Sequence, residues 1–156
     1  MYNNSKNTAT RVSEAEQIGR DKFILIHSGN TWTPYVDRYV VVDLSGSTKN
    51  KNGDEINMFI EAKARDIKST EFGTTFLELK KLDSMLEFAT CNGGKAYYFV
   101  TYIDGKSFLF DLTNVKSKYA IQQELCNDIT IGDKPTQKIL KDVIHLPLFK
   151  ADRRYK

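Results

Sequence analysis

Two apolar runs, Tyr39 to Leu44 and Ile56 to Ala62, enclose a polar stretch, Ser45 to Glu55, that holds two glycines and no large apolar residue. A chain patterned this way turns back on itself: the runs read as strands and the stretch between them as a long turn. Folding the segment from Tyr35 to Ala64 about a midpoint near Lys49 sets Asp37 opposite Glu61 and Asp43 opposite Glu55, and opposed residues project from one face. Side chains alternate along a strand, so Glu61 and Lys63, two apart, share that face with Asp37. Two acids and an amine therefore converge beside apolar neighbours. A carboxylate pair is a hard oxygen site of the kind Mg²⁺ uses, with waters left for a phosphate to displace, and a lysine beside it fits that phosphate.

These residues resemble the PD-(D/E)xK nuclease superfamily, in which an acid early in the second strand of a core sheet is followed by Glu-x-Lys in the third, here Glu61-Ala62-Lys63. The chain departs from the pattern at the first motif. Its proline, Pro34, stands three residues before Asp37, so the first acid is assigned by hairpin geometry. The resemblance covers about Ser13 to Leu112 and implies an α/β, restriction-endonuclease-like core, a mixed central β-sheet flanked by helices. It also implies a metal-dependent deoxyribonuclease in which Asp37, Glu61 and the Ala62 carbonyl hold Mg²⁺, with Mn²⁺ as a substitute. Lys63 would orient the attacking water or neutralise charge on the phosphate.

Archaeal-type Holliday junction resolvases are a branch of similar length, and a glutamate of their first helix completes the metal site. Glu14 and Glu16 both qualify. Glu14 is preferred, because a Ser13-x-x-Glu16 capping box accounts for Glu16. Several branches bring a basic residue of the following helix to the site, and Lys80 is assigned that role. The partner implied is DNA, branched DNA included. Junction resolvases act as homodimers because a four-way junction needs two symmetric cuts; the residues of this chain do not speak to dimerisation.

As a bare string the motif is weak, since acid-x-Lys recurs at Asp66 to Lys68, Glu78 to Lys80 and Asp104 to Lys106. Only Glu61 follows a run as apolar as Met58-Phe59-Ile60 and faces an acid across a hairpin. The plain alternative is a salt pair on a solvated sheet face. On the functional side, the alternative is a nuclease-like fold that binds nucleic acid or protein without cutting. A net charge of only +3, the displaced proline and the long polar turn all suit it.

At 156 residues the chain is expected to form one domain. No apolar run approaches the ~18 residues of a membrane span, and Met1 to Thr10 is polar, so a cytoplasmic protein with no membrane partner is expected. Cys91 and Cys126 lack zinc-site spacing and are expected to be reduced thiols.

Further along, the sequence predicts a frayed tail over residues 1–9, a helix from Thr10 or Ser13 to Asp21, and a short strand from Phe23 to Ile26. A polar connector, Arg65 to Gly73, offers Arg65 and Lys68 as phosphate contacts or as solvated loop charge. A helix follows from Thr75 to Thr90, opened by Thr75-x-x-Glu78 and closed by Asn92-Gly93-Gly94. Ala96 to Ile103 reads as a buried strand turning at Asp104-Gly105 into Lys106 to Leu112. Lys116 to Leu125 reads as helical and Lys141 to Leu146 as a strand; Lys150 to Lys156, with four basic residues, is either a phosphate-tracking tail or disorder. Trp32 is a stacking candidate or sheet-edge packing. His27 is a general-base candidate or a polar strand end, and His145 has no partner in view.

Overall fold

The computed structural model describes residues 4–35, 40–127 and 137–156. Asp37 lies outside them. Helix α1 spans Asn4–Ile26, so the tail expected over residues 1–9 is helical from Asn4 and the strand expected at Phe23 to Ile26 is the last turn of a helix. Four apolar residues in a row do not distinguish the two. Here Phe23 is fully buried while Leu25 is 70% exposed, and the chain leaves the helix through a His27 N–H to Phe23 carbonyl bond.

Strands β1 (Trp32–Pro34), β2 (Leu44–Lys49) and β3 (Glu55–Arg65) follow. Next come β4 (Thr74–Glu78), α2 (Leu79–Cys91), β5 (Lys95–Tyr102) and β6 (Ser107–Asp111). The chain ends through the short α3 (Val115–Lys118), β7 (Ile121–Asn127), β8 (Lys138–Pro147) and β9 (Arg153–Tyr155). Among the described residues the main sheet has six strands in the order β1-β2-β3-β5-β6-β9, and a second sheet has the order β4-β8-β7. Only β3 and β5 run parallel in the main sheet, joined by a crossover that contains β4 and α2. The fold is thus a mixed α/β arrangement, a central mixed sheet flanked by helices.

Three expectations change. Thr74–Glu78 is a strand paired with β8, not the start of a helix: Glu78 is the N-cap residue of α2 and makes no side-chain cap bond. Its carboxylate instead meets Lys141 of β8 at 3.1 Å, a cross-sheet partner invisible to local sequence. Lys116 to Leu125 yields one helical turn and then β7, which pairs with β8 along its length. The basic C-terminal residues form the edge strand β9 against β6.

Two cores lie on opposite faces of the main sheet. Helix α1 covers one with Phe23 packed on Ile60, Ala62, Tyr97 and Phe99. Helix α2 covers the other, where Leu82, Met85 and Ala89 meet Phe59, Tyr98 and Val100, and residues of β8 join them. The tyrosines of β5 are core residues: Tyr98 is 1% exposed.

Candidate functional site

The site begins with the turn of the β2–β3 hairpin. Asn50 accepts from the Asn52 and Asp54 N–H groups through Oδ1, Gly53 takes φ +84°, and the turn centres on Asn52. The strands then pair Leu44 with Ile60 and Lys49 with Glu55. This overturns the register read from a midpoint at Lys49, which set Asp43 opposite Glu55. A three-residue shift of the turn moves every partner by six, and Asp43 comes beside Glu61. The Asn52-Gly53 pair, a strong hairpin signal, carried the information.

The β2–β3 ladder stops at Leu44, and the Asp43 N–H makes one further bond to the Ile60 carbonyl at 2.8 Å. Beyond it β3 runs on to Arg65 with β5 on its other side. The Ala62 N–H, past the end of the ladder, is taken by Asp43 Oδ2 at 2.8 Å. A backbone donor that would otherwise be buried and unpaired thereby fixes the carboxylate at the strand edge.

Glu61 and Asp43 are both buried, each at 7% exposure. Burial, and next the Asp43 charge, push the Glu61 carboxyl up from 4.5 to about 7, against the opposing pull of Lys81 and Lys63. Lys81 of α2 contacts Glu61 Oε2 at 2.9 Å and Lys63 stands 3.9 Å from Oε1. Lys63 also reaches Glu16 of α1 at 3.5 Å. Burial lowers the proton affinity of its ammonium, but Glu61 and Glu16 outweigh that and the net shift is upward. From the same helix Arg20 Nη2 binds Asp43 Oδ1 at 2.7 Å.

Helix α1 can deliver both residues because Gly19 lies against β3. A Cβ there would sit 3.1 Å from the Lys63 backbone N and C, a tight approach that glycine makes without displacing either element.

Of the residues singled out in the sequence, Glu61, Ala62 and Lys63 lie together here. Glu14 and Lys80 are exposed, and Glu16 and Lys81 make the contacts instead. The capping-box reading of Glu16 turned on a local rule that does not see β3, and Lys81, the residue after Lys80, is the one that reaches Glu61. Asp43 and Arg20 were missed as site residues; Asp43 follows from the Asn52-Gly53 turn, whereas no local signal marks Arg20. Glu14 lines a neighbouring cleft of about 680 Å³ with Lys22, Arg65 and Tyr102. Arg65 donates to the Tyr98 hydroxyl at 3.3 Å and lies over the Phe76 ring, while Asp66 and Lys68 are exposed.

The histidines have structural partners. His27 Nδ1 faces the Phe23 carbonyl at 3.0 Å, which can only accept, so Nδ1 carries the proton and Nε2 accepts from the Tyr155 hydroxyl at 2.9 Å. Burial lowers its pKa further, in keeping with a neutral ring. His145 lies 2.8 Å from Glu124. Trp32 donates to the His27 carbonyl and packs edge-on against Phe23. Both cysteines are free. No helix among the described residues is long and apolar enough to cross a membrane.

Among the described residues no group of three histidine, cysteine or acidic side chains could hold a metal ion. The donors present are two carboxylates and the Ala62 carbonyl, all oxygen. Such a set suits an ion that keeps several waters, as Mg²⁺ and Mn²⁺ do, and does not suit zinc.

No protein-family model matches this sequence, and no curated protein matches it. Among solved structures the chain is similar to Hjc, a Holliday junction resolvase from the archaeal hyperthermophile Archaeoglobus fulgidus. The TM-score is 0.52 at 11% identity, over 85% of this chain and 83% of that one. At that identity the likeness is one of fold.

Proposed function

We propose that the chain is a divalent-metal-dependent nuclease that hydrolyses phosphodiester bonds in DNA, with branched DNA as the substrate class the similar resolvase suggests. The observation that carries this reading is the convergence of Asp43, Glu61 and Lys63 at one edge of β3, with Asp43 anchored on the Ala62 N–H. Asp43, Glu61 and the Ala62 carbonyl would hold Mg²⁺ or Mn²⁺, and Asp37 stays a candidate. The ion, when bound, would supply electrostatic stabilisation of the phosphate and a more acidic water.

The other roles belong to side chains. Lys63 orients the water or meets the charge that builds on the phosphate, and Glu16 holds its ammonium in place. Lys81 positions Glu61. Lys22 and Arg65, which line the neighbouring cleft, would contact the DNA backbone. Lys80 is exposed enough to contribute a similar outer contact, whereas the exposed Glu14 carboxylate would repel the phosphates.

One observation favours a second reading, a module that binds DNA without cutting. Arg20 and the Ala62 N–H take one Asp43 oxygen each, and Lys81 holds a Glu61 oxygen, so the pair is already neutralised by the chain itself. Plasmid and four-way-junction cleavage with Mg²⁺ or Mn²⁺ decides between them. Asp43→Asn, Glu61→Gln and Lys63→Ala should each lower the rate by a factor on the order of 10² while keeping most DNA binding. Variants that cut as well as wild type would remove the site assignment; a wild type that binds both substrates and cuts neither would establish the second reading.

A further inference from the structure

The Asp43 carboxylate is shared between a backbone donor that cannot leave and a side chain that can. The Ala62 N–H belongs to β3 and is fixed by the β3–β5 ladder. Arg20 is held differently. Its Nη2 reaches Oδ1 at 2.7 Å, but its Nε–H is buried and has no partner among the described residues. A guanidinium that lies flat against a carboxylate uses two donors in parallel; this one uses a single arm and leaves another donor unsatisfied, which is costly in a buried setting. Gly19 brings α1 close against the Lys63 backbone, and from one residue further along the helix the long, flexible Arg20 side chain reaches Asp43.

Charge points the same way. Asp43, Glu61 and Glu16 are met by Arg20, Lys63 and Lys81, three bases for three acids, so even with Glu61 ionised the cluster carries no net negative charge. A divalent cation entering this balanced cluster would meet Arg20 on the carboxylate it needs, and like charges at that range repel strongly in a partly buried site.

We infer that Arg20 is a displaceable counter-ion of Asp43, occupying the carboxylate in the resting protein and leaving it when a divalent cation binds. This rests on the reading of Asp43 and Glu61 as a cation site. Arg20 is then a positioning residue: it keeps the acids paired without metal and weakens metal affinity. The guanidinium it frees, with five donors in a planar fork, is suited to a phosphate oxygen of the incoming backbone.

The test is Mn²⁺ binding by titration calorimetry on the intact chain without DNA, comparing wild type, Arg20→Met, Arg20→Lys and, as a site control, Glu61→Gln. Arg20→Met removes the competing charge at similar bulk and should lower the Mn²⁺ dissociation constant at least tenfold; Arg20→Lys should stay near wild type. Should Arg20→Met fail to fold, side-chain nitrogen NMR of wild type gives an independent measurement. Saturating Mg²⁺ should then move the Arg20 Nε–H resonance, and a resonance that stays put would overturn the inference. It would also be overturned if Arg20→Met bound Mn²⁺ no tighter than wild type while Glu61→Gln weakened binding, and in that case the cation site itself would stand. Absence of Mn²⁺ binding in every form would remove both the cation site and the role of Arg20.

Discussion

Replacing Glu61 with glutamine should change how stability depends on pH, in a direction opposite to that of most salt-bridged acids. The Glu61 carboxyl titrates at about 7 in the folded chain against an ordinary value of 4.5, mainly because burial disfavours the anion. Between those values the folded chain holds a proton that the unfolded chain has released. Glu61 therefore contributes stability that is fully present below pH 4.5 and is lost as pH rises through 7. At about 1.4 kcal/mol per pH unit, the interval corresponds to ~3 kcal/mol.

Glutamine has nearly the same shape and does not titrate. Urea unfolding in EDTA, followed by the fluorescence of Trp32 at a series of pH values, gives the stability of each protein, and subtraction removes the other titrating groups. The stability of Glu61→Gln relative to wild type should climb by ~3 kcal/mol between about pH 4.5 and about pH 8. Parallel curves would show that Glu61 titrates at its ordinary value, and that neither burial nor Asp43 acts on it as argued.

Two further substitutions test the packing that builds the site. Gly19→Ala places a Cβ 3.1 Å from strand backbone, which must give by a few tenths of an ångström, and should cost about 1–3 kcal/mol in chemical denaturation; an unchanged midpoint would show that α1 lifts freely off β3. Ser107 and Thr101 are buried and share a hydrogen bond of 2.8 Å between their hydroxyls. Ser107→Ala should cost about 1–3 kcal/mol, and the double variant with Thr101→Val should cost clearly less than the two single losses added together, which a double-mutant cycle measures directly.

What the sequence made legible was whatever depended on local pattern. A hairpin did form, although its first strand is Leu44–Lys49, inside the polar stretch read as turn, and not the apolar run before it, of which residues 40–43 are not strand; Asp104-Gly105 did turn β5 into β6, with Gly105 at φ +81°, and the apolar run of β5 is buried on both faces. What depended on distant pairing was hidden. Thr74–Glu78 carries a helix-start signature, yet β8, some seventy residues later, recruits it as a strand. Phe23 to Ile26 is equally apolar as helix or strand; in the fold Phe23 is buried while Leu25, which would share its face in a strand, is exposed on the outside of the helix. The Glu-x-Lys strand was readable because three successive residues place its acid and its amine on one face. The acid that meets it was missed because the turn was centred on Lys49 rather than at Asn52-Gly53, where the chain turns between Lys49 and Glu55. Arg20 could not be read at all, being set by the height of a helix above a sheet.

Each acid of the pair answers to a different layer of the molecule. Asp43 is tied to α1 on one face of the sheet and Glu61 to α2 on the other. If either helix peels away, one carboxylate loses its cation while its neighbour keeps its own, and the balance of the pair is broken even with the sheet intact. Loosening α1 alone would bare Asp43 and loosening α2 alone would bare Glu61, so the two helices set the charge of the two carboxylates separately while the strands hold them side by side.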